Sequence, residues 1–437
     1  MTHPLPPLVA ERLRALRERP AEPTDKGFGL LASRADGTAG TPGPSPASLA
    51  AARPALDAEG FTYPLLMLRE SALAGNLAAM AAYCAGAGVE LAPHGKTAMS
   101  PELAARQLAS GAWGITVATI GQLRMYRAFG FPRLLLANEL VDEGGIAWLA
   151  GELAADPGFT AYCYVDSADG VAILDRVLTA HPAGRRLPVL VEIGVGRTGC
   201  RTDEQALTVA KAAAATGTLT VAGVAGYEGT ISGGRAAQRL DLVTSFCRRL
   251  ASLAGAVADV TGAGGEFIAT AGGSVYFDVV ARELTAAGPD GMTVVLRSGG
   301  YLFHDHGIYQ AATPAARGVT GTPVLHPALE LWAQVLSRPE PGLALLTAGR
   351  RDAGFDAGLP VPLRVRRRDG AAAALAGEVT ELNDQHAYLR LDPGTALAPG
   401  DLVCLGISHP CTTLDKWRLI AVLDDEDRVI DAVHTFF

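Results

Sequence analysis

The chain has 437 residues, which is too long for one small domain and fits a domain of about 250 residues joined to a second one. Apolar residues make up 49% of the chain, and the Lys and Arg side chains are dispersed within a net charge of −8, which argues against a nucleic-acid-binding surface. The first residues lack a signal-peptide pattern, no apolar run reaches the roughly 18 residues that span a bilayer, and the 6 cysteines show no close pairing. We therefore expect a reduced, cytoplasmic setting.

The N-terminal part of the chain is less regular than the rest. Residues 8–17 predict one short helix, and the Gly/Pro/Ser-rich residues 33–47 predict a loop or a disordered segment. We expect residues 1–60 to form a partly disordered segment that packs on a C-terminal β domain. A strand at 63–68 follows and leads into a helix at 71–85.

Eight short β-rich runs then alternate with Ala-rich helical stretches, a pattern typical of parallel strands joined by crossover helices. Eight such strands favour a closed (β/α)8 barrel over an open doubly wound sheet. We assign residues 61–310 to this barrel, with the strand at 63–68 outside its ring of strands. The eight runs are residues 89–93, 114–119, 133–137, 160–166, 187–193, 219–225, 266–271 and 293–297.

The pattern changes after residue 309. Short strands joined by loops predict a mostly antiparallel β domain at 311–437. The fold class is therefore α/β, with a TIM-type barrel and a second domain of strands. The runs in this second domain are residues 318–338, 342–347, 359–367, 377–390 and 402–408.

Lys96 follows the first barrel strand, directly after Pro93-His94-Gly95. An ammonium group at the mouth of a buried strand is costly to desolvate unless it is paired or its charge is removed. Covalent capture of an aldehyde cofactor, as in a Schiff base with pyridoxal phosphate (PLP), removes that charge. A surface lysine at the start of a helix is the alternative for this segment alone, and the other strand ends favour the cofactor.

The loops after the last two strands carry glycine pairs beside hydroxyl groups. Barrel enzymes commonly hold phosphate in these two loops, and glycines let backbone N–H groups approach an anion closely. One such loop alone means little, but two at the two expected positions indicate a phosphate site. Its candidate residues are Gly272, Gly273, Ser274, Ser298, Gly299, Gly300 and Tyr301.

His409 and Cys411 flank Pro410 in the second domain. We expect an extended, rigid segment from which both side chains point to the same place. Imidazole and thiolate are natural zinc ligands, and two protein ligands leave positions for water or substrate, as a catalytic zinc requires. A hydrogen-bonded buried histidine beside an inert cysteine is the alternative.

Together these segments resemble the fold-type III PLP enzymes with an alanine-racemase-type barrel, specifically the D-serine dehydratase/D-threonine aldolase branch and its bacterial amino acid deaminases. The resemblance covers roughly residues 60–437. The matching segments are residues 64–76, 92–97, 113–119, 135–138 and 409–413.

The resemblance implies a role for each candidate residue. Lys96 would be the Schiff-base lysine, Arg197 would lie near the PLP ring oxygen, and Tyr227 on the side of the pyridine nitrogen. The glycine-rich loops would hold the phosphate. His409 and Cys411 would bind zinc, and cysteine in place of the aldolases' carboxylate favours dehydration over aldol cleavage.

The predicted function is a PLP- and zinc-dependent dehydratase that converts a β-hydroxy D-amino acid, of the D-serine, D-threonine or 3-hydroxyaspartate type, to a 2-oxo acid and ammonia. Three alternatives stay open: a metal-dependent D-threonine aldolase, a racemase, and a non-catalytic PLP carrier. The residues alone do not exclude an L-substrate.

Two further expectations concern partners and selectivity. The resemblance implies a homodimer that acts on a small-molecule amino acid and involves neither nucleic acid nor membrane. His304 and His306 lie just past the eighth strand and either bias substrate choice or belong to a solvated loop.

Overall fold

Two β-sheets organise the chain, as a computed structural model shows for residues 3–28, 43–233, 235–262 and 265–437. The chain begins with helices α1 (Pro7–Arg17) and α2 (Pro46–Ala52), followed by strand β1 (Leu65–Arg69). Helix α1 confirms the helix predicted at 8–17. Residues 33–42 of the predicted Gly/Pro/Ser-rich loop lie outside the described ranges.

The first sheet consists of eight parallel strands in the order β2-β9-β8-β7-β6-β5-β4-β3. The amide of Trp113 donates to the Leu91 carbonyl (2.8 Å) and that of Thr116 to the Pro93 carbonyl (2.9 Å), which closes the ring between its first and last strands. The predicted barrel is thereby confirmed. Its strands are β2 (Glu90–Leu91), β3 (Ile115–Val117), β4 (Arg133–Glu139), β5 (Thr160–Val165), β6 (Leu187–Ile193), β7 (Leu219–Gly226), β8 (Ile268–Ala271) and β9 (Thr293–Leu296).

Helices cover the outside of the barrel and connect it to the second sheet. None of the helices in the described ranges is long and apolar enough to cross a bilayer. The helices that follow β1 in chain order are α3 (Glu70–Ala87), α4 (Pro101–Ala109), α5 (Ile120–Ala128), α6 (Glu143–Ala155), α7 (Ala168–Ala180), α8 (Asp203–Ala214), α9 (Ala236–Thr261), α10 (Phe277–Ala287), α11 (Ile308–Ala312) and α12 (Cys411–Leu414).

Polar caps set the first turn of five barrel helices. In each case the cap side chain accepts a backbone N–H three residues further on, which satisfies a donor that the helix leaves free. Such caps keep the connections short at the carboxyl ends of the strands, where barrel enzymes place their sites. The caps are Ser100, Thr119, Asp142, Ser167 and Thr202.

The barrel interior is filled by side chains that form a floor beneath the strand ends. The members of this cluster are all buried and come from all of the barrel strands except β3 or the residues next to them. They are Ala92, Leu135, Tyr162, Tyr164, Leu190, Ala222, Ala225, Ile268 and Val295.

The second sheet has ten strands, mostly antiparallel, in the order β13-β12-β16-β10-β1-β17-β18 with β11, β15 and β14 as an extension. This confirms the predicted β domain, although the strand predicted at 318–338 begins only at residue 329. Its strands are β10 (Leu329–Glu340), β11 (Leu343–Leu346), β12 (Val361–Arg366), β13 (Ala372–Ala374), β14 (Glu378–Leu382), β15 (Ala387–Arg390), β16 (Leu402–Gly406), β17 (Leu419–Leu423) and β18 (Val429–His434).

Strand β1 lies in the middle of this second sheet, antiparallel to β10 and parallel to β17. The sequence places this segment outside the ring, as observed, but a domain division at residue 61 assigns it to the barrel domain. A division by chain order places β1 with the barrel because it directly precedes the barrel strands. Its four consecutive buried residues instead fit a central strand of the second sheet, covered on both faces. Helix α2 packs against β18 of the same sheet.

Asn76 links the two parts of the chain. Its side chain is fully buried, and its Nδ2 donates to the carbonyls of Leu302 (2.9 Å) and His326 (2.8 Å). Its Oδ1 accepts the N–H of His326 (2.8 Å). Helix α3, which follows β1, is thereby fixed to the segment that leaves the barrel.

Candidate active site

A cavity of about 380 Å³ opens at the carboxyl ends of the barrel strands. Both the barrel and the second domain line it, so it forms where the two meet. Most of the predicted site residues lie together in its wall: Lys96, Arg197, Tyr227, Gly272, Gly273, Ser274, Gly299, Gly300, His409 and Cys411. Ser298 and Tyr301 do not line it.

Lys96 lies on a 3₁₀ turn, Gly95–Thr97, between β2 and α4. The Tyr126 hydroxyl donates to the Gly95 carbonyl (3.0 Å), and a Cβ at position 95 would lie only 2.5 Å from that hydroxyl. The turn is therefore held in place from behind. Its lysine side chain projects into the cavity, as predicted from its position at the strand end.

The surroundings of Lys96 change its acidity. Burial lowers the pKa of Lys96 from its ordinary value, and the Cys411 thiolate opposes this shift. The nearby guanidinium groups of Arg197 and Arg297 lower it further. The net decrease makes more of the free amine available near neutral pH than on an exposed lysine, which suits a nucleophile or proton acceptor.

Arg197 and Tyr227 form one wall of the cavity. The Arg197 guanidinium lies over the Tyr227 ring, 5.3 Å from its centroid, and a Cβ at Gly273 would lie 3.2 Å from Tyr227 Cε2. Tyr227 thus sits beside the Gly-Gly turn. Its role on the side of the pyridine nitrogen stays a prediction.

Arg297 is a cavity residue that the sequence analysis missed. It is only 6% exposed, and its guanidinium donates to Thr270 Oγ1 (2.7 Å) and to the Gly226 carbonyl (2.7 Å). These bonds hold a positive charge at the cavity wall. The signal was an arginine at the end of a buried strand, directly before Ser298 and its glycine pair.

The Gly272-Gly273 turn differs from the prediction. The amides of Gly272 and Gly273 donate to the two carboxylate oxygens of Glu228 (3.0 and 2.7 Å), which is fully buried. Because this carboxylate already accepts both N–H groups, they cannot also donate to a phosphate. The turn shapes the cavity wall, and Glu228 holds the turn.

The second glycine pair, Gly299-Gly300, packs closely against His94 and Tyr309. A Cβ at Gly299 would lie 2.5 Å from the His94 carbonyl, and one at Gly300 would overlap the Tyr309 ring. Only glycine fits these close approaches. A phosphate at this end would contact Ser274, the Gly299-Gly300 backbone and Tyr309.

Ser298 and Tyr301, which the sequence assigns to the phosphate, face away from the cavity. Ser298 is fully buried, and its hydroxyl donates towards the carbonyls of Gly272 and Gly273 (3.4 and 3.2 Å). Tyr301 is 2% exposed, and its hydroxyl accepts a hydrogen bond from Gln107 (3.2 Å). The short 3₁₀ turn at Gly300–Leu302 rotates this tyrosine into the core.

His304 and His306 lie where the barrel meets the second sheet. His304 is 5% exposed with Nδ1 2.9 Å from the Asp305 carbonyl, and the His306 ring packs on Gly406 of β16. Burial lowers the pKa of both imidazoles. Neither lines the cavity, and their burial shows that the solvated loop is wrong, whereas a bias on substrate choice stays a prediction.

His409 and Cys411 come together by a different backbone path from the predicted one. Pro410 has helical dihedrals (φ −58°, ψ −43°) and α12 begins at Cys411, so the segment is a tight turn and not an extended one. Both side chains nevertheless reach the cavity. Cys411 Sγ lies 3.5 Å from Thr97 Oγ1, beside the lysine turn.

The two side chains shift each other's pKa. A hydrogen bond with Cys411 raises the pKa of His409 to about 9, against the effect of burial and with help from Asp356. Burial alone would raise the pKa of Cys411, but the effects of His409 and Thr97 are larger together, so the pKa is lowered. Thiolate and imidazole are the donor set that zinc prefers, so this pair fits the predicted metal.

A carboxylate cluster at the cavity wall, where Glu192 lines the cavity, also escaped the sequence analysis. Glu139, Asp166 and Glu192, from three neighbouring strand ends, have carboxylate oxygens within 4.8 Å of one another. Burial, and then the Glu192 carboxylate, raise the pKa of Glu139 to about 8. Glu139 therefore holds a proton at neutral pH, and this proton relieves the repulsion between neighbouring carboxylates.

The cavity also fits PLP. Three buried polar atoms without a partner in the described ranges, His94 Nδ1, the Tyr164 hydroxyl and Glu192 Oε2, belong to residues that line it. Burial lowers the pKa of His94 well below its usual range, so this ring is neutral. A free amine, guanidinium groups and glycine walls suit an anionic aromatic aldehyde.

Comparison with known proteins agrees with this arrangement. The family model of the alanine racemase N-terminal domain matches residues 68–271, and that of the putative serine dehydratase domain matches residues 328–423. A D-threonine aldolase from Arthrobacter sp is 30% identical over 374 residues, 83% of this chain and 89% of that protein. A 3-hydroxy-D-aspartate aldolase from Paracoccus denitrificans (strain Pd 1222) is 28% identical over 362 residues, 80% and 87% of the two chains.

Solved structures share the fold. A D-threonine aldolase from Filomicrobium marinum has a TM-score of 0.72 at 24% identity, covering 86% of this chain and 95% of that one. A D-threo-3-hydroxyaspartate dehydratase from Delftia sp. HT23 has a TM-score of 0.67 at 21% identity, covering 87% and 98%.

These relatives are lyases that differ in the bond they break. Three findings lead to one conclusion. The barrel carries the lysine, the second sheet carries the His-Pro-Cys turn, and a curated relative is 30% identical across 89% of its length. The chain belongs to the fold-type III PLP enzyme family that contains the D-threonine aldolases and D-serine dehydratases.

Proposed function

We propose that this chain is a PLP- and zinc-dependent dehydratase that converts a β-hydroxy D-amino acid to a 2-oxo acid and ammonia. The substrate would be of the D-serine, D-threonine or 3-hydroxyaspartate type. One observation carries the proposal: Lys96 and the His409–Cys411 pair line the same cavity. An amine base and a metal-binding pair would therefore reach one substrate.

The barrel residues would hold the cofactor. Lys96 would bind its aldehyde carbon, Arg197 and Arg297 would flank the ring, and Ser274 and Tyr309 would contact the phosphate. When bound, PLP supplies an electron sink for the electrons left on Cα after proton loss.

Lys96 would then move the proton. Its Nζ projects into the cavity, and burial together with the two arginines lowers its pKa, so it accepts a proton from Cα more readily than an exposed lysine does. Lys96 Nζ would return that proton to water at the end of the cycle.

The second domain would assist the departure of the β-hydroxyl group. His409 and Cys411 would be two protein ligands of the zinc, which binds the neutral imidazole and the thiolate and so displaces protons from them. Zinc supplies Lewis-acid help because hydroxide is a poor leaving group. Loss of water and later uptake of one water, with release of ammonia, balances the reaction.

Aldol cleavage is the second candidate, because the curated relatives at 30% and 28% identity are aldolases. Cys411 supports dehydration, because the resemblance places a carboxylate at this position in the aldolases, and one of the similar solved structures is a D-threo-3-hydroxyaspartate dehydratase. A non-catalytic PLP carrier is disfavoured by the second sheet with its metal-binding pair. The homodimer and the cytoplasmic setting stay predictions.

Product analysis tests the proposal. The protein, loaded with PLP and zinc, is incubated with D-serine, D-threonine and D-threo-3-hydroxyaspartate and with their L-enantiomers, and products are identified by mass. We expect a 2-oxo acid and ammonia from a D-substrate, with activity lost after chelation and restored by zinc. Glycine plus an aldehyde would instead establish the aldolase, and PLP binding without any turnover would establish the carrier.

A further inference from the structure

We propose that Asp356 is a positioning residue that orients the His409 imidazole for metal binding. His409 Nδ1 lies 2.7 Å from Asp356 Oδ2, while the other carboxylate oxygen accepts the Thr412 hydroxyl at 2.7 Å. The inference rests on the proposed function, because the metal belongs to that function.

A histidine has two ring nitrogens, and the partner of one decides what the other can do. With Nδ1–H donating to the Asp356 carboxylate, Nε2 is the ring nitrogen left to bind a metal in the cavity that Cys411 also lines. Nitrogen and sulfur are then presented together. The carboxylate also makes the imidazole a stronger ligand.

The carboxylate is itself held from two sides. Because each of its oxygens has a partner in the His409–Thr412 turn, it cannot rotate without losing one of two short hydrogen bonds. The sequence separates Asp356 from His409 by 53 positions, so only the folded chain brings them together.

The backbone that carries Asp356 is fastened to the same turn. The Gly354 amide donates to Thr413 Oγ1 (2.8 Å), and the Thr413 hydroxyl donates to the His409 carbonyl (3.0 Å). A Cβ at Gly354 would overlap Thr412 Oγ1. Asp356 is therefore presented by a segment that packs on the metal-binding turn, and not by a separate loop.

Asp356 is not a third metal ligand. It bonds Nδ1 of the imidazole and not Nε2, and it does not line the cavity. Its side chain is 51% exposed, so its removal leaves no buried unpaired group and the fold should persist. This makes substitution of Asp356 a clean test.

Zinc affinity, measured by competition with a chromophoric chelator on the full PLP-loaded chain, tests the proposal. We expect Asp356→Ala to weaken zinc binding about 10- to 100-fold. Asp356→Asn should have a smaller effect because the amide oxygen can still accept from Nδ1, and Thr412→Val a smaller one still. PLP absorbance and the melting temperature without zinc should not change.

Two variants serve as controls. Asp415→Asn changes another exposed aspartate next to the same turn and should leave zinc affinity unchanged. His409→Ala removes the ligand and should weaken zinc more than Asp356→Ala does. Wild-type affinity in Asp356→Ala, beside a loss in His409→Ala, would overturn the positioning role alone. Equal zinc affinity in wild type and His409→Ala would overturn the metal site itself, and this inference with it.

Discussion

The barrel and the second sheet contribute to the same cavity in different ways. The barrel supplies Lys96, Arg197 and Arg297 from separate strand ends, each fixed by the closed ring of parallel strands. The second sheet supplies His409 and Cys411 from a single tight turn between β16 and β17. We infer that cofactor binding depends on many strands, whereas metal binding depends on one turn and its immediate neighbours.

The largest expected effect is on the barrel side. Lys96→Ala removes the amine that binds the aldehyde and accepts the Cα proton, so we expect loss of the visible cofactor absorption and at least a ~1,000-fold drop in turnover. Zinc affinity should stay at the wild-type value if the two regions act separately. Absorption spectra, steady-state rates and the chelator competition measure the three quantities.

Lys211→Ala is the matched control, because Lys211 is an exposed lysine on α8 far from the cavity lining. It should behave as wild type in all three measurements. Retention of both colour and turnover in Lys96→Ala would rule out the assignment of this lysine.

A smaller effect is expected at the support of the glycine turn. Glu228→Ala removes the acceptor of two buried N–H groups, which should lower the free energy of unfolding by about 2–3 kcal/mol and weaken PLP binding about 10-fold or more. Glu228→Gln should have an intermediate effect on both stability and PLP binding, because its one amide oxygen can replace only one of the two carboxylate oxygens that accept these N–H groups. Urea unfolding and PLP titration measure the two effects.

Glu204→Ala, on the exposed first turn of α8, is the control for the loss of a glutamate. If Glu228→Ala binds PLP and unfolds as this control does, the carboxylate does not hold the turn. A loss of stability with unchanged PLP affinity would show that the turn is structural only.

The smallest effect concerns the carboxylate pair and depends on pH. The folded-state pKa of Glu139 is about 8, above the ordinary value of 4.5, so the folded chain keeps a proton that the unfolded chain loses. The free energy of unfolding should therefore fall as pH rises from about 5 to 8. Glu139→Gln lacks this proton, so its stability relative to wild type should rise over the same window.

Urea unfolding at pH 5.5 and 8.5 measures this difference, with Glu204→Gln as the exposed control. A stability difference between Glu139→Gln and wild type that does not change with pH would contradict the raised pKa of Glu139. Activity should change less than in the other two variants, because Glu139 does not line the cavity.

Much of the fold follows from local patterns. The eight barrel strands are visible as short β-rich runs. Ser100 and Thr119 mark helix starts, because a cap side chain bonds a backbone N–H only three residues further along the chain. Lys96 was found because the end of a parallel strand is where a barrel places its site. The His409–Cys411 pair was found from its spacing, although its backbone forms a turn.

The sequence by itself determined the strands, the helix starts and the residues at the strand ends, because these depend on neighbours along the chain. Only the tertiary structure decided that Tyr309 and not Tyr301 faces the cavity, that Glu228 takes the amides of the glycine turn, and that Asp356 meets His409. These pairs are distant in sequence or depend on how a turn rotates a side chain. Such contacts are set by strand register and packing, which no local pattern records.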